Sequence, residues 1–167
     1  MDHLSVAMEE IQERRAPVKV PLGRPLHEYV NLYICARNPM MYKRRNQHSD
    51  LTVLRVNPAI LDLADVVVAD GNASSGYTRF AAAPQGLDLV NRDMVYAEDW
   101  RHPNNPFAYW EHRRLKCAEV LVPDRVASEY LVGAYVSCLE SEAEVRQHLD
   151  TVHGGLEVSI DRHLFFL

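Results

Sequence analysis

The run CAEVLV, residues 117–122, constrains the fold more than any other stretch of the 167-residue chain. Successive side chains of a strand point to opposite faces, and both faces of this run are apolar except at Glu119. The pattern therefore predicts a central strand that is covered on both sides. Burying a carboxylate there costs free energy unless it is hydrogen-bonded or paired. Glu119 is either a strand-end residue neutralised by Arg113 or Arg114, or a functional group.

Short strand patterns and separated helix patterns along the chain indicate a single α+β domain over residues 1–167. Strands are predicted over residues 27–34, 51–56, 65–70, 117–123, 130–138 and 156–160. Helices are predicted over residues 4–14, 105–116 and 141–155, and a helical turn over 57–63. In the last helix Ser141 and Glu144 form a predicted capping box. Residues 37–50 and 71–80 are predicted as loops, and 81–112 as mostly irregular.

The composition argues against several classes of protein. No apolar run approaches the ~18 residues of a membrane span, and residues 1–10 lack the pattern of a signal peptide. The three cysteines form no C-x-x-C pair, and the eight histidines form no H-E-x-x-H motif. Neither a disulfide framework nor a metal site is therefore predicted. These observations favour a reduced, cytoplasmic setting without a membrane partner.

The positive charge is concentrated in two stretches, although the net charge of −5 argues against a general nucleic-acid-binding protein. Residues 11–56 hold nine Lys/Arg residues against three Asp/Glu, and residues 113–119 hold three against one. Arginine outnumbers lysine in both stretches, and its planar guanidinium suits bidentate contact with phosphate. Chance patchiness on a solvated surface and an anion-binding site both fit this pattern.

Four segments in order resemble the DarT-type DNA ADP-ribosyltransferases, which are the toxins of toxin–antitoxin pairs. The segments are IQERRAPVKV (11–20), LHEYVNLYICARNPMMY (26–42), VVVADGNASSGYTRF (66–80) and RRLKCAEVLVP (113–123). The resemblance runs from about residue 5 to the end of the chain. It implies the ADP-ribosyltransferase fold, in which two packed, bent sheets with flanking helices hold NAD⁺ in the cleft between them.

The resemblance also implies a reaction and partners. ADP-ribose would be transferred from NAD⁺, the co-substrate, to a base in single-stranded DNA, with release of nicotinamide. Thymine is the acceptor in one branch of the family and guanine in another. The implied partner is a macrodomain-type antitoxin that removes the modification, and no metal is implied.

Individual residues take roles from the same resemblance. Glu119 matches the catalytic glutamate, which would hold the nicotinamide-side ribose and stabilise oxocarbenium-like charge. Arg15 matches the functional arginine, which would grip the diphosphate of NAD⁺ and help position or deprotonate the acceptor base. Further NAD⁺ contacts are expected at Tyr33, Asn38 and Met40. DNA contacts are expected at Arg37, Asn72, Tyr77, Arg79, Arg113, Arg114 and Lys116. The cations Lys43, Arg44 and Arg45 either extend this phosphate track or belong to a solvated loop.

Members of the family are expected to carry an additional N-terminal segment, with a Tyr-His-x-Thr stretch and a helix that contact NAD⁺. This chain begins almost at the I-Q-E-R-R motif. A misplaced start codon, deliberate trimming or a natural truncation that has lost NAD⁺ binding would each produce such a start. The alternatives to an active transferase are a non-catalytic relic of the same fold that binds single-stranded DNA or an antitoxin, and an unrelated metabolic enzyme.

Overall fold

The computed structural model describes residues 18–20, 24–152 and 155–167 of the chain. Within these residues seven strands form two sheets. The strands are β1 (Tyr29–Tyr33), β2 (Val53–Val56), β3 (Val67–Ala69), β4 (Phe80–Ala82), β5 (Glu119–Pro123), β6 (Leu131–Val136) and β7 (Glu157–Ile160). The first sheet has the order β1-β5-β3-β4 and is antiparallel. The second has the order β2-β6-β7, with β6 and β7 parallel.

Helices flank the two sheets, which confirms the predicted α+β class. They are α1 (Pro39–Lys43), α2 (Arg92–Tyr96), α3 (Pro106–Leu115) and α4 (Leu139–Val152). Asparagines cap three of them: the side chains of Asn38, Asn91 and Asn105 each accept backbone N–H groups of the following first turn. The start of α3 near Pro106 is confirmed. The helix predicted over residues 4–14 lies outside the described residues.

β5 is the central strand that the sequence predicted. Val120 and Val122 pack in one cluster with Val56 of β2, so this face of β5 forms the core between the two sheets. Leu121, which points the other way, packs in a second cluster with Tyr29 of β1. Because both faces are covered, the four residues at positions 119–122 are all buried.

The second cluster places the N-terminal part of the described chain. Val18 and Val20 pack on the face of the first sheet that carries Leu121. The backbone of residue 19 forms an isolated bridge with Pro25, which leads directly towards β1. The segment that follows the I-Q-E-R-R motif therefore covers the face of the first sheet opposite to the inter-sheet core.

The prediction of a loop over residues 37–50 is wrong. This stretch contains α1 and a 3₁₀ helix, Arg45–Asp50. The Asn-Pro pair that indicated a turn is instead a helix start, because Asn38 caps α1 and Pro39 occupies its first position.

Residues 81–112 are less irregular than predicted. The stretch includes most of β4, a 3₁₀ helix (Gln85–Leu89) and α2. The packing at Gly86 shows why local patterns missed these elements. A Cβ at Gly86 would lie 2.7 Å from the carbonyl oxygen of Ala81 and 2.8 Å from Cβ of Val68, so the turn depends on a close approach to β3 and β4. Such contacts are tertiary and leave little periodic signal.

α4 begins at Leu139, two residues before its predicted start. Ser141 therefore lies in the first turn, where its hydroxyl donates to the carbonyl oxygen of Ser49 at 2.7 Å. The predicted capping box is wrong, because this side chain joins α4 to the 3₁₀ helix Arg45–Asp50 instead. Val145 and Leu149 pack α4 against the second sheet.

Candidate active site

Glu119 stands at the start of the central strand, paired with Tyr33 of β1 on one side and Ala69 of β3 on the other. It is only 4% exposed. The Nδ2 group of Asn31 donates a hydrogen bond to Oε2 of Glu119. Asn31 is diagonal to Glu119 across the β1–β5 pair, on the same face of the sheet. The carboxylate is thus buried and held in one orientation by a neutral amide.

The orientation of Asn31 follows from its partner. An ionised carboxylate only accepts hydrogen bonds, so the N–H₂ end of the amide must face Glu119. Within the described part of the chain, Oδ1 of Asn31 is then buried without a hydrogen-bond partner. The site therefore combines a fixed carboxylate with an acceptor oxygen beside it. Sequence reasoning missed Asn31, although the alternation of β1 already placed this residue on one face with Tyr29 and Tyr33.

A cleft in the described part of the chain is lined by Asn31 and Tyr33 but not by Glu119. This cleft, of about 1040 Å³, opens between the edge strands β1 and β2 and has a mainly apolar lining that includes Leu32, Val53 and Val120. Glu119 lies on the opposite face of the first sheet, where Val18 and Val20 pack. Strand alternation is the physical reason, because Val120 faces the second sheet and its neighbour Glu119 cannot. The expected position of NAD⁺ between the two sheets stays a prediction.

A buried ion-pair network lies just beyond the end of β3. Asp70, only 1% exposed, accepts hydrogen bonds from the guanidinium of Arg114 at 2.9 Å and from that of Arg79 at 2.7 Å. The backbone N–H of Arg79 donates to the same carboxylate at 3.0 Å. Burial by itself raises the pKa of Asp70, but the hydrogen bonds from Arg79 and Arg114 outweigh it and hold this pKa below its ordinary value.

Arg114 is buried, and its guanidinium is fully engaged. Besides Asp70, it donates to Glu111 at 2.9 and 2.7 Å and to the hydroxyl of Thr78 at 3.3 Å. A Cβ at Gly71 would clash with Nη1 of Arg114 and lie 3.0 Å from its carbonyl oxygen, so glycine lets the loop approach this closely. The expectation that Arg114 contacts DNA does not fit this environment. Its guanidinium instead fixes the 71–79 loop against α3.

Lys116 is also buried, with 1% of its surface exposed. Its Nζ donates to the carbonyl oxygen of Val95 at 2.9 Å and lies 5.6 Å from the ring centroid of Trp100. Burial lowers the pKa of this ammonium group. His112, one turn earlier on α3, is 3.0 Å from the carbonyl oxygen of Met94. Lys116 therefore anchors the last turn of α2, and the expected DNA contact does not fit its position.

The loop between β3 and β4 presents exposed groups next to α3. Tyr77 is 73% exposed, and its ring packs edge-on against Trp110 of α3 with centroids 5.1 Å apart. Arg79 extends from the same loop and is exposed despite its bond to Asp70. Asn72 shapes the loop, because its Oδ1 accepts from the N–H of Ser74 at 3.0 Å. Sequence reasoning missed Trp110, which the helical pattern alone did not distinguish from loop packing.

Residues 1–166 match the family model described as DarT, ssDNA thymidine ADP-ribosyltransferase. This chain belongs to the DarT family. The resemblance seen in the sequence is thereby confirmed, and so is the ADP-ribosyltransferase-like fold. The match extends over the described site as well as the segment that holds Arg15.

Individual relatives agree with the assignment to DarT. A fusion of a DNA ADP-ribosyl transferase with a DNA ADP-ribosyl glycohydrolase from Thermosipho africanus is 30% identical over 152 residues, covering 87% of this chain but only 36% of that protein. The structure of Thermus sp. 2.9 DarT in complex with ADP-ribosylated ssDNA has a TM-score of 0.81 at 24% identity and covers 97% of this chain and 81% of that one. The same Thermus protein in complex with NAD⁺ has a TM-score of 0.76 at 22% identity, with 91% and 80% covered. Both structural matches show the fold.

The remaining expected site residues of this DarT-family chain surround α1. Tyr33 and Met40 are partly exposed. The guanidinium of Arg37 donates to Glu98 at 3.1 Å and lies 3.9 Å from the ring centroid of Phe166. Arg15 lies outside the described residues, so its expected role stays a prediction.

The described residues form neither a metal-binding cluster nor a membrane-spanning helix. No group of three or more His, Cys, Asp and Glu side chains there could hold a metal ion. Among the same residues, no helix combines the length and the apolar character needed to cross a membrane.

Asn38, expected to contact NAD⁺, is completely buried. Its Oδ1 accepts from the N–H groups of Met40 at 2.9 Å and Met41 at 3.1 Å, while its Nδ2 donates to the carbonyl oxygen of Cys35 at 2.9 Å. The side chain therefore positions Met40 through the backbone of α1.

Replacing this cap is expected to destabilise the protein. We predict that Asn38→Ala lowers the free energy of unfolding by about 1–2 kcal/mol, because it leaves two N–H groups and a carbonyl unpaired. Urea unfolding followed by circular dichroism measures this change. Asn104→Ala, at an exposed position before α3, is the control and should change the free energy by less than ~0.5 kcal/mol. Equal effects of the two substitutions would contradict the capping role.

Proposed function

We propose that this chain transfers ADP-ribose from NAD⁺ to a thymine base in single-stranded DNA. The observation that carries the proposal is Glu119, a buried carboxylate at the start of the central strand, held in one orientation by Asn31. A preorganised carboxylate stabilises positive charge that develops beside it in a dry site. The family match, whose description names single-stranded DNA and thymidine, supplies the substrate class.

The proposed reaction is a substitution at C1′ of the ribose next to nicotinamide. The bond from C1′ to the pyridinium nitrogen breaks, and nicotinamide leaves as a neutral molecule with the electron pair of that bond. A ring nitrogen of the acceptor base forms the new bond to C1′ and releases its proton. Glu119 holds the ribose and faces the oxocarbenium-like charge, while the acceptor oxygen of Asn31 is available to a hydroxyl or amide of the substrate.

Arg15 completes the proposed NAD⁺ site. It precedes Val18 by three residues, and Val18 packs on the face of the first sheet that carries Glu119. The planar guanidinium of an arginine suits bidentate contact with a diphosphate, which supports this role for Arg15.

The 71–79 loop and α3 are proposed to receive the acceptor strand. Tyr77 and Trp110 offer aromatic faces, and stacking of a base on such a face contributes about 1–3 kcal/mol. Arg79 and Arg113 are exposed cations beside them. Arg114 and Lys116 take a supporting role, because their hydrogen bonds hold the loop and the last turn of α2 in place.

The relatives suggest ligands and a partner. Thermus sp. 2.9 DarT binds NAD⁺ in one structure and ADP-ribosylated ssDNA in another. The Thermosipho africanus fusion joins its transferase to a glycohydrolase in one chain. We extend these features to this chain and propose NAD⁺ as co-substrate, a macrodomain-type glycohydrolase as antitoxin, and a toxin that acts in the cytoplasm.

A nicotinamide-release assay tests the proposal. The protein is incubated with NAD⁺ and one of three oligonucleotides: a single strand with thymine, the same strand with every thymine replaced by guanine, and the annealed duplex. We expect DNA-dependent release with the thymine strand and at least about tenfold less with the duplex, because pairing shields the base. Nicotinamide release with the guanine strand but not with the thymine strand would identify guanine as the acceptor base. Tight binding of single strands without any release would favour the non-catalytic relic.

A further inference from the structure

A second groove, of about 670 Å³, lies between α1, α3 and the segment that follows α2. We call it the α1–α3 groove. Five cationic side chains and two carboxylates line it, together with four aromatic rings. Glu119 is not part of the lining of this groove. Arg113 of α3 is, and it was also proposed above as a cation beside the acceptor strand.

The charge of the α1–α3 groove is positive once internal pairs are considered. Glu98 is paired with Arg37 at 3.1 Å and also lies 2.9 Å from His163. Asp99 is paired with Arg101 at 2.6 Å. Both carboxylates are thus neutralised, and the other cations of the lining remain.

The remaining cations are Lys43, Arg45 and Arg113. Across the described residues, none of the three has an acidic side chain within ion-pair distance. Arg45 is held in place without a carboxylate, since its Nη1 donates to the carbonyl oxygen of Tyr42 at 3.0 Å. A polyanion in this groove would meet three cations that internal ion pairs do not compensate.

Three aromatic rings pack against one another beside these cations. Tyr42 packs edge-on against Trp100 and Phe166, with centroids 5.9 and 5.2 Å apart, and Trp100 and Phe166 pack against each other at 5.7 Å. Tyr42 and Tyr109 nevertheless remain 45% and 37% exposed. The guanidinium of Arg45 lies 4.3 Å from the ring centroid of Tyr42. Partly exposed rings interleaved with arginine are the combination that stacks the bases of a single strand.

We propose that the α1–α3 groove binds the part of a single DNA strand that flanks the acceptor base. This inference rests on the proposed function, which places the acceptor near Glu119 and the 71–79 loop. Exposed cations alone would also suit an acidic protein, but such a partner does not account for the partly exposed rings of Tyr42 and Tyr109. A duplex fits less well, because its bases are already stacked on each other.

The position of α3 connects the two DNA-binding surfaces. Tyr109 and Arg113, four residues apart, line the α1–α3 groove, whereas Trp110 contacts Tyr77 of the acceptor loop. A strand that runs from the loop to the groove therefore crosses α3. A helix is ~10 Å wide, so a strand must continue for several nucleotides beyond the acceptor base before it enters the groove. Oligonucleotides of three and twelve nucleotides should therefore differ in whether they reach the groove.

The test compares dissociation constants for labelled three- and twelve-nucleotide strands that contain thymine, measured by fluorescence anisotropy without NAD⁺. We expect the twelve-nucleotide strand to bind more tightly to the wild type. In the double variant Lys43→Ala/Arg45→Ala, the affinity advantage of the twelve-nucleotide strand should fall about tenfold. The slope of log affinity against log salt should become shallower by ~1.4, which is ~0.7 for each lost phosphate contact. Tyr109→Ala should also lose about tenfold. The control Arg125→Ala removes an exposed cation at the far end of β5 and should behave as wild type.

Each other outcome has a defined meaning. If the groove variants bind the twelve-nucleotide strand as tightly as Arg125→Ala does, the groove proposal is wrong, and an acidic protein partner becomes the better explanation of its charge. If the double variant weakens single strands and duplexes equally while Tyr109→Ala has no effect, base stacking in the groove is excluded. If the length-dependent gain is lost as expected but no nicotinamide is ever released, the groove proposal stands and the proposed transferase activity fails.

Discussion

Glu119→Gln is expected to slow ADP-ribose transfer by about 10³-fold while the protein keeps its fold and its affinity for single-stranded DNA. Removing one preorganised electrostatic contact to a developing charge typically costs about 10²–10³-fold in rate. Glutamine has nearly the same shape as glutamate. Its amide can donate to Oδ1 of Asn31, an atom that has no hydrogen-bond partner in the described part of the wild-type chain. The free energy of unfolding should therefore change by less than ~1 kcal/mol.

Initial rates of transfer at several NAD⁺ concentrations measure this effect. A loss in kcat that exceeds any rise in KM would show that the carboxylate acts mainly in the transition state. Glu28→Gln, at an exposed position just before β1, provides the matched control and should leave the rate unchanged. A Glu119→Gln protein within tenfold of the wild-type rate would assign the buried carboxylate to the structure of the sheet instead.

Asp70→Ala is expected to lower the free energy of unfolding by about 3–5 kcal/mol, the largest effect on stability that we predict. The substitution removes the carboxylate that pairs with the buried guanidinium of Arg114 and with Arg79. Among the described residues, Glu111 would then be the one acidic partner left to Arg114. The 71–79 loop would lose its anchor, so affinity for single-stranded DNA should fall as well.

Urea unfolding at pH 7 measures the change, with Asp99→Ala as the control. Asp99 also forms a pair with an arginine, but that pair is exposed, and solvent screens such surface pairs so that they contribute little to stability. Similar losses for Asp70→Ala and Asp99→Ala would show that the buried network contributes no more than a surface pair.

The dependence of this effect on pH follows from the pKa of Asp70, which the hydrogen bonds hold below its ordinary value. Between the folded and unfolded pKa values the unfolded chain binds more protons, so stability rises with pH there. The contribution of Asp70 is therefore complete above the unfolded pKa of about 3.9 and disappears as the pH falls through the folded value. The difference between wild type and Asp70→Ala should shrink progressively below pH ~4. A difference that stayed constant to pH 2 would contradict this account.

Local patterns were sufficient to predict the central strand. Two apolar faces in CAEVLV are specific to a strand covered on both sides, and burial of Glu119 follows directly from its place in that run. The start of α3 was equally predictable, since Pro106 fits the first turn of a helix and Asn105 precedes it as a cap.

The roles of the basic residues could not be obtained in the same way. Arg113, Arg114 and Lys116 look alike in a sequence, yet only Arg113 is exposed. Whether the others are buried depends on Asp70 and Val95, which come from distant segments of the chain. The contact between Asn31 and Glu119 could not be predicted for the same reason, because it depends on the register between β1 and β5.

Intact-mass spectrometry of the DNA product tests the central claim most directly. A thymine-containing single strand is incubated with the wild-type protein and NAD⁺, and in parallel with the Glu119→Gln protein. We predict that the wild type adds the mass of one ADP-ribose unit to the strand, that fragmentation places this mass on a thymine base, and that the variant adds almost none. An unchanged DNA mass with the wild type, under conditions where it binds both NAD⁺ and the strand, would contradict the assignment of this chain as a DNA ADP-ribosyltransferase.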